Sequence, residues 1–246
     1  MIATRFCTPY LLVCLLWAGA AALAQAADFV SVLPLAGGKV VGVVSVVGAL
    51  EKPKPLPVFK SRSFCGANVP NETLLVSADG RLRNAAVILR PLNVAVVPAQ
   101  PIKIVLDNQH CAFTPHVQVA PLGSELLLKN SDPILHTVHA RLGQETLFNV
   151  GLPNWRQVTK RLDRGGVIRI DCDVLHTWMS AAIIVTDSPN HFVSNDRGEF
   201  FFDGVPAGVY EIEIWHERLG RQSHRIAVRD HGTTAVDVVF ALEKTR

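Results

Sequence analysis

The chain has 246 residues, of which 49% are apolar and 18% are charged, and its formal net charge at pH 7 is +3. This length allows one large or two small domains with real hydrophobic cores. So weak a charge gives no reason to expect binding to nucleic acid.

The first 26 residues resemble a secretory signal peptide. Arg5 precedes an apolar run over residues 10–22, and Ala24-Gln-Ala26 has the small-x-small pattern of a cleavage site. The run is too short to span a bilayer, and no later segment approaches twenty apolar residues. We therefore expect a cleavable signal, no membrane span in the processed protein, and a location in the periplasm or outside the cell.

The rest of the chain favours β-structure. Short β-rich runs alternate with turn residues, and no sustained helical period occurs. The predicted strands are 39–47, 73–76, 84–89, 102–106, 116–119, 125–128, 167–170 and 181–185. From residue 187 onward, Asp196-Arg-Gly198 and Pro206-Ala-Gly208 indicate turns of a second small β-unit, whose last strand is predicted at 234–241. We expect an all-β fold of two sandwiches.

Between two of these strands lies a group of residues typical of a copper site. Cys172, His176 and Met179 fall within eight residues, and His136 arrives from the segment Asn130-Ser-Asp-Pro-Ile-Leu-His136. A thiolate, two imidazoles and a weak thioether suit copper, since soft sulfur favours Cu(I) and imidazole serves both oxidation states. Apart from Met1, Met179 is the only methionine. The alternative is ordinary core, because cysteine and methionine are often simply buried.

The cysteines support the same interpretation. Cys7 and Cys14 would leave with the signal peptide, so Cys65, Cys111 and Cys172 would remain. In an oxidising compartment an odd number of cysteines needs an explanation, because one of them has no partner for a disulfide within the chain. We predict a disulfide between Cys65 and Cys111, with Cys172 kept as a thiolate by the metal. The alternative is a free, buried Cys172 with no metal.

Further residues are candidates for a supporting role. Asn130 or Ser131 is predicted to hydrogen-bond the cysteine sulfur, and Trp178 to shield the metal from water or to belong to the core. His139 is three residues from His136, so on a regular strand the two side chains point to opposite faces. His139 with His116 would then form a second metal site or hold the ligating imidazoles by hydrogen bonds.

These motifs resemble two known families. Residues 96–187 resemble a cupredoxin, a plastocyanin-like type 1 copper domain with a Greek-key sandwich, through the segment from Asn130 to His136 and the loop from Cys172 to Met179. Residues 28–95 and 188–246 resemble one Ig-like, transthyretin-type sandwich of the carboxypeptidase regulatory-like family. The resemblance implies that the copper domain is inserted into this sandwich.

The whole chain is also similar to exported bacterial proteins labelled as methylamine-utilisation proteins. Those carry Cys-x-x-His-x-x-Met, whereas Leu175 lengthens the first interval here. The resemblance implies a non-enzymatic protein with one type 1-like copper that exchanges single electrons with a redox partner in the bacterial envelope. Copper delivery or buffering, and a β-sandwich binding module without metal, are the alternatives. A nucleophilic Cys172/His176 pair lacks any evident oxyanion-binding turn.

Overall fold

The computed structural model describes residues 37–48 and 53–242, so the predicted signal peptide lies outside the described residues. Almost all regular structure is β, which confirms the predicted fold class. Within the described residues no helix is long and apolar enough to cross a membrane. The elements are β1 Gly38–Val47, β2 Leu56–Pro57, α1 Arg62–Cys65, β3 Asn68–Val69, β4 Ala86–Pro91, β5 Lys103–Gln109, β6 Ala112–Thr114, β7 Val117–Pro121, β8 Glu125–Asn130, β9 His136–Leu142, β10 Glu145–Leu152, β11 Gln157–Arg161, β12 Gly166–Asp171, β13 Ser180–Thr186, β14 Asn190–Val193, β15 Glu199–Val205, β16 Gly208–His216, β17 Gly220–Val228, β18 Thr233–Ala235 and β19 Val238–Ala241.

The strands β5 to β13 form two facing sheets, the first sandwich. One sheet has the order β10-β9-β12-β13-β7 and the other the order β11-β8-β5-β6. Most neighbours are antiparallel, but β13 runs parallel to β7 and β5 runs parallel to β8. The core between the sheets contains buried aliphatic and aromatic side chains such as Leu106, Phe113, Leu128, Ile170 and Ile183.

Strands from both ends of the described chain form the second sandwich. One sheet has the order β15-β1-β18, with β19 also paired to β1, and the other has the order β14-β4-β16-β17. Its core includes Val40, Leu89, Phe200, Tyr210 and Ile212. The chain therefore contributes to this sandwich before and after the strands of the first one. The domain limits at 95/96 and 187/188 stay a prediction.

The two sandwiches pack on each other through β4 and β13. Alternate residues of a strand face opposite sides of its sheet. Val87 in β4 belongs to the core of the second sandwich, whereas Ile88 faces the first sandwich and contacts the cluster that contains Ile184 and Trp215. Strands buried on both faces have no polar face, which explains why β4 and β13 are continuous apolar runs in the sequence.

One segment lies where the sequence did not place it. Residues 56–69, which we call the strap, fall within the predicted regulatory-like sandwich but pack on the first sandwich. Val58 and Val69 are buried in the first core, and Cys65 is bonded to Cys111 in the turn between β5 and β6. Two buried apolar side chains and a covalent bond therefore attach the strap to the other core.

Candidate metal centre

Strand pairing brings the predicted ligands together at one end of the first sandwich. His136 is the first residue of β9, and Cys172 directly follows the last residue of β12. These strands are antiparallel, with His139 opposite Asp171, so the start of β9 lies beside the end of β12. The loop from Cys172 to Met179 then carries His176 back across the same end.

Three of the predicted ligands form a compact group, which we call the buried cluster: His136, Cys172 and His176. The two Nδ1 atoms lie 3.1 Å apart, and the Cys172 sulfur lies 3.8 Å from His176 Nδ1. All three potential donor atoms fall within 4.8 Å of one another, and all three side chains are buried. The described residues contain no other such group of three His, Cys or acidic side chains.

The far side of each imidazole is already occupied by a hydrogen-bond partner. His136 Nε2 lies 3.0 Å from Asp132 Oδ2, and His176 Nε2 lies 3.2 Å from Ser61 Oγ. A carboxylate only accepts hydrogen bonds, so His136 carries its proton on Nε2 and directs the Nδ1 lone pair into the cluster. Such outer partners fix the tautomer and ring orientation of metal-binding histidines.

Asp132 is itself held by a tight turn. His110 and Cys111 form the two-residue turn between β5 and β6, and both have positive φ, as a type I′ hairpin requires. Their backbone N–H groups both donate to the Asp132 carboxylate, at 2.7 Å and 2.8 Å. The turn therefore positions the group that orients His136.

The sulfur of Cys172 receives its hydrogen bonds from Thr137 and not from Asn130. Thr137 N lies 3.4 Å from the sulfur, and its hydroxyl lies 3.7 Å from it. Asn130 instead donates to the carbonyls of Ile134 and Leu152 and accepts from Asp132 N. The predicted bond from Asn130 to the sulfur is thus replaced by an indirect role, because Asn130 holds the loop that carries Asp132.

The remaining loop residues close over the cluster. Trp178 stacks beside His176, with ring centroids 4.9 Å apart, and donates from Nε1 to the carbonyl of Cys111. Met179 is buried in the first core. Its backbone N–H donates to the His176 carbonyl at 2.9 Å, which closes the turn that joins the two residues. The role of Met179 as an axial ligand stays a prediction.

Leu175, the additional residue in the loop, is accommodated without disturbing the cluster. It has a φ of 66° and is 64% exposed. Left-handed conformations are uncommon for residues other than glycine and usually occur in turns. The longer interval between Cys172 and His176 is therefore absorbed by one residue that points to solvent.

Burial keeps both imidazoles of the cluster neutral near pH 7. Burial lowers the pKa of His136 below its ordinary value, although the Asp132 carboxylate opposes this effect. The pKa of His176 falls to about 4, chiefly because of burial and further because protonating it beside the His136 ring and Lys60 would bring positive charges together. Neutral imidazole is the form that binds metals.

The other predicted histidines lie apart from the cluster. His139 is on the opposite face of β9 from His136, as predicted, with Nδ1 2.9 Å from Asp173 Oδ2 and Nε2 2.9 Å from Thr146 Oγ1. His116 pairs instead with Glu217 of the second sandwich. Each histidine therefore has its own partner, and among the described residues no group of three potential metal ligands contains His139 or His116.

Sequence reasoning missed three residues around the cluster: Ser61, Asp132 and Thr137. Asp132 and Thr137 carried a local signal, because both lie within four residues of His136. Ser61 carried no such signal, since it is 115 residues from His176 in the chain.

Cys65 and Cys111 form the predicted disulfide, with Cα atoms 5.7 Å apart, and Cys172 is free.

Comparisons with known proteins find distant similarities to solved structures. No protein-family model and no curated protein matches the chain. A purple cupredoxin from Nitrosopumilus maritimus is 19% identical over 35% of this chain and 99% of its own, with a TM-score of 0.30. A copper-containing nitrite reductase from Thermus scotoductus is 18% identical over 39% of this chain and 25% of its own, with a TM-score of 0.32.

A reduced amicyanin variant is 18% identical over 34% of this chain and 82% of its own, with a TM-score of 0.31. Similarities this low carry no argument about function. The function therefore has to be inferred from the geometry of the buried cluster.

Proposed function

We propose that the protein binds one copper ion through His136, Cys172 and His176. The observation that carries this proposal is the convergence of two Nδ1 atoms and one thiol sulfur at 3.1 Å and 3.8 Å, with each Nε2 engaged elsewhere. In protein sites a zinc ion lies about 2.0–2.1 Å from nitrogen and about 2.3 Å from sulfur. Two donors around an ion at these distances are roughly 3.3–3.8 Å apart. Two of the three donor separations are therefore close to those around a metal ion, and all three lie within 4.8 Å.

The donor set favours copper over zinc. Two imidazoles and one thiolate, with a thioether nearby, are typical of copper sites that transfer electrons, whereas structural zinc sites have four strong ligands in a tetrahedron. Met179, which is buried in the first core three residues after His176, is the residue that we propose as the weak fourth ligand. Because thiolate and imidazole ligands must be deprotonated, the low pKa of His176 favours binding near neutral pH.

We further propose that the function is electron transfer without catalysis. Bound copper would supply a one-electron couple between Cu(I) and Cu(II). The chain holds its ligands by Asp132, Ser61 and Thr137, an arrangement that limits their movement when the charge changes. Trp178 stacks on His176, and both side chains are buried, which restricts the approach of water.

The cellular context is proposed from the sequence. Residues 1–26 support export to the periplasm or the outside of the cell, where an envelope redox partner would exchange electrons with the copper. We also propose that residues 96–187 form the copper domain, inserted into a sandwich built from 28–95 and 188–246. The sheet order, in which strands on both sides of β5 to β13 form one sandwich, supports this division.

The test is a Cu(II) titration of the purified protein, followed by visible absorption and metal stoichiometry. We expect an intense thiolate-to-copper band that saturates at one equivalent, and its loss in Cys172→Ser and His136→Ala. His139→Ala is the matched control, because it removes an imidazole from the opposite face of the same strand. A wild-type protein that shows no such band, with Cys172 free, would rule out the proposal.

A further inference from the structure

The strap places a hydroxyl group against the outer edge of His176. Ser61 Oγ lies 3.2 Å from His176 Nε2, and His176 is 1% exposed. Ser61 occupies the N-cap position of α1, where serine normally accepts a hydrogen bond from the first helical amides. Here its φ is 57° and its side chain makes no cap hydrogen bond. The hydroxyl therefore bonds to the histidine and not to the helix.

Apolar contacts hold both ends of the strap. Leu56 pairs with Val69 as β2 meets β3, and Val69 is buried in the core of the first sandwich. Val58 is buried in the same core, whereas the neighbouring Phe59 is 72% exposed. The strap thus has an inner face attached to the first sandwich and an outer face in solvent.

The disulfide fixes the middle of the strap to a residue that supports both sides of the cluster. Cys65 is bonded to Cys111, whose N–H donates to Asp132 and whose carbonyl accepts from Trp178. Asp132 orients His136, and Trp178 stacks on His176. One buried residue, Cys111, therefore connects the strap to the groups that position both imidazoles.

We propose that the strap closes the metal site over His176 and that the Cys65–Cys111 disulfide keeps it closed. This inference rests on the proposed copper site and adds how the metal is retained: the ion enters or leaves through an opening of the strap. Slow exchange suits a permanently bound redox centre and argues against delivery of copper to other proteins. Ser61 acts as a positioning residue, because it touches the ligand and not the metal.

The first test needs no metal. Diethyl pyrocarbonate modifies accessible, unprotonated imidazoles, and peptide mapping by mass spectrometry reports each histidine separately in the full chain. His231, whose side chain is 72% exposed, is the internal reference. We expect His176 to react at least about tenfold more slowly than His231 in the oxidised apoprotein. Equal rates would overturn the inference.

The same preparation then tests the disulfide. Reduction with a phosphine should raise the reaction rate of His176 at least about fivefold. His136, which is fully buried and hydrogen-bonds to Asp132 and not to the strap, should stay protected. Val58→Ala, which loosens the strap but leaves the disulfide intact, should raise the rate by a smaller factor. If His176 stays equally protected after reduction and in Val58→Ala, the strap does not control access. If His136 becomes reactive as well, reduction has unfolded the molecule. The rate of His176 modification in Val58→Ala then decides alone whether the strap controls access.

The second test uses the copper-loaded protein. Transfer of Cu(I) to bathocuproine disulfonate should be at least about tenfold faster from Cys65→Ser/Cys111→Ser than from wild type. Equal transfer rates from the two proteins, each with one bound copper, would overturn the proposed role of the strap and leave the proposed function intact. Failure of both proteins to bind copper would overturn the proposed function, and the histidine-modification rates would then decide whether the strap covers His176.

Discussion

Asp132, in the loop before β9, and His136, the first residue of that strand, form a buried pair, in which His136 Nε2 donates to Asp132 Oδ2 at 3.0 Å. The same carboxylate accepts from the backbone of His110 and Cys111. Three donors converging on one carboxylate fix its position before any metal binds. The orientation of His136 is therefore a property of the fold.

We predict that Asp132→Asn weakens metal binding without removing a ligand. The amide has one accepting oxygen in place of two, so one of the three donors loses its partner. Losses of such outer partners typically lower metal affinity about 10- to 100-fold. Competition titration with a copper chelator measures the change. Asp163→Asn, which alters an exposed ion pair with Arg161, is the control and should leave the affinity unchanged.

Met179→Leu distinguishes an axial ligand from ordinary core. The two side chains have similar volumes, so the substitution should cost less than about 1.5 kcal/mol of stability. If the thioether approaches the metal, its loss leaves three ligands, and a lower coordination number suits Cu(I) better than Cu(II). The reduction potential should therefore rise while copper stays bound. Cyclic voltammetry of the loaded protein measures the potential. An unchanged potential would show that Met179 only fills the core.

The sequence was most informative where ligand chemistry is concentrated in a short segment. Cys172, His176 and Met179 follow each other within one loop, so their types and spacing predicted a site before the fold was known. Ser61 could not be predicted, because nothing local links it to His176 and its segment was assigned to the other sandwich. The strap position depends on Val58, Val69 and the disulfide, all of which are long-range contacts.

The strand predictions succeeded where the apolar pattern of a strand is clear and failed where it is weak. Residues 84–89 and 181–185 were predicted well, since strands buried on both faces are apolar throughout. The strand predicted at 73–76 was wrong, and only a single bridge between Val76 and Leu82 forms there. Strands β9 to β11 were missed, because their inward positions include His136, Ala140 and Lys160, which give only a weak apolar alternation.

Ile88→Ala tests the contact between the two sandwiches. Ile88 is buried in the cluster that contains Ile184 and Trp215, away from the metal site. Removing its side chain should lower the free energy of unfolding by about 2–4 kcal/mol, because a cavity forms where the surrounding strands relax only partly. Urea denaturation gives this value, and the absorption of bound copper should not change. Val239→Ala, at an exposed position, is the control with little expected effect.

The pair of His116 and Glu217 also joins the two sandwiches and should make stability depend on pH. Burial alone would lower the pKa of His116, but the hydrogen bond and charge of Glu217 outweigh it and raise the pKa above its ordinary value. A raised histidine pKa adds stability that is complete below about pH 6.5, the unfolded value, and is lost as the pH rises through the folded value.

Glu217→Gln should therefore destabilise the apoprotein more at about pH 6 than at about pH 9. A hydrogen bond to a charged group contributes about 1.5–3 kcal/mol, and one between neutral groups about 0.5–1.5 kcal/mol. The loss of unfolding free energy caused by Glu217→Gln should therefore fall from the first range to the second as His116 deprotonates. Denaturant unfolding of both proteins across this range measures it. Glu145→Gln, which breaks an exposed pair with Arg164, should show no such trend because arginine does not titrate there. A loss for Glu217→Gln that stays within about 0.5–1.5 kcal/mol over the whole range would mean that His116 is neutral throughout, and that Glu217 joins the two sandwiches without an ion pair.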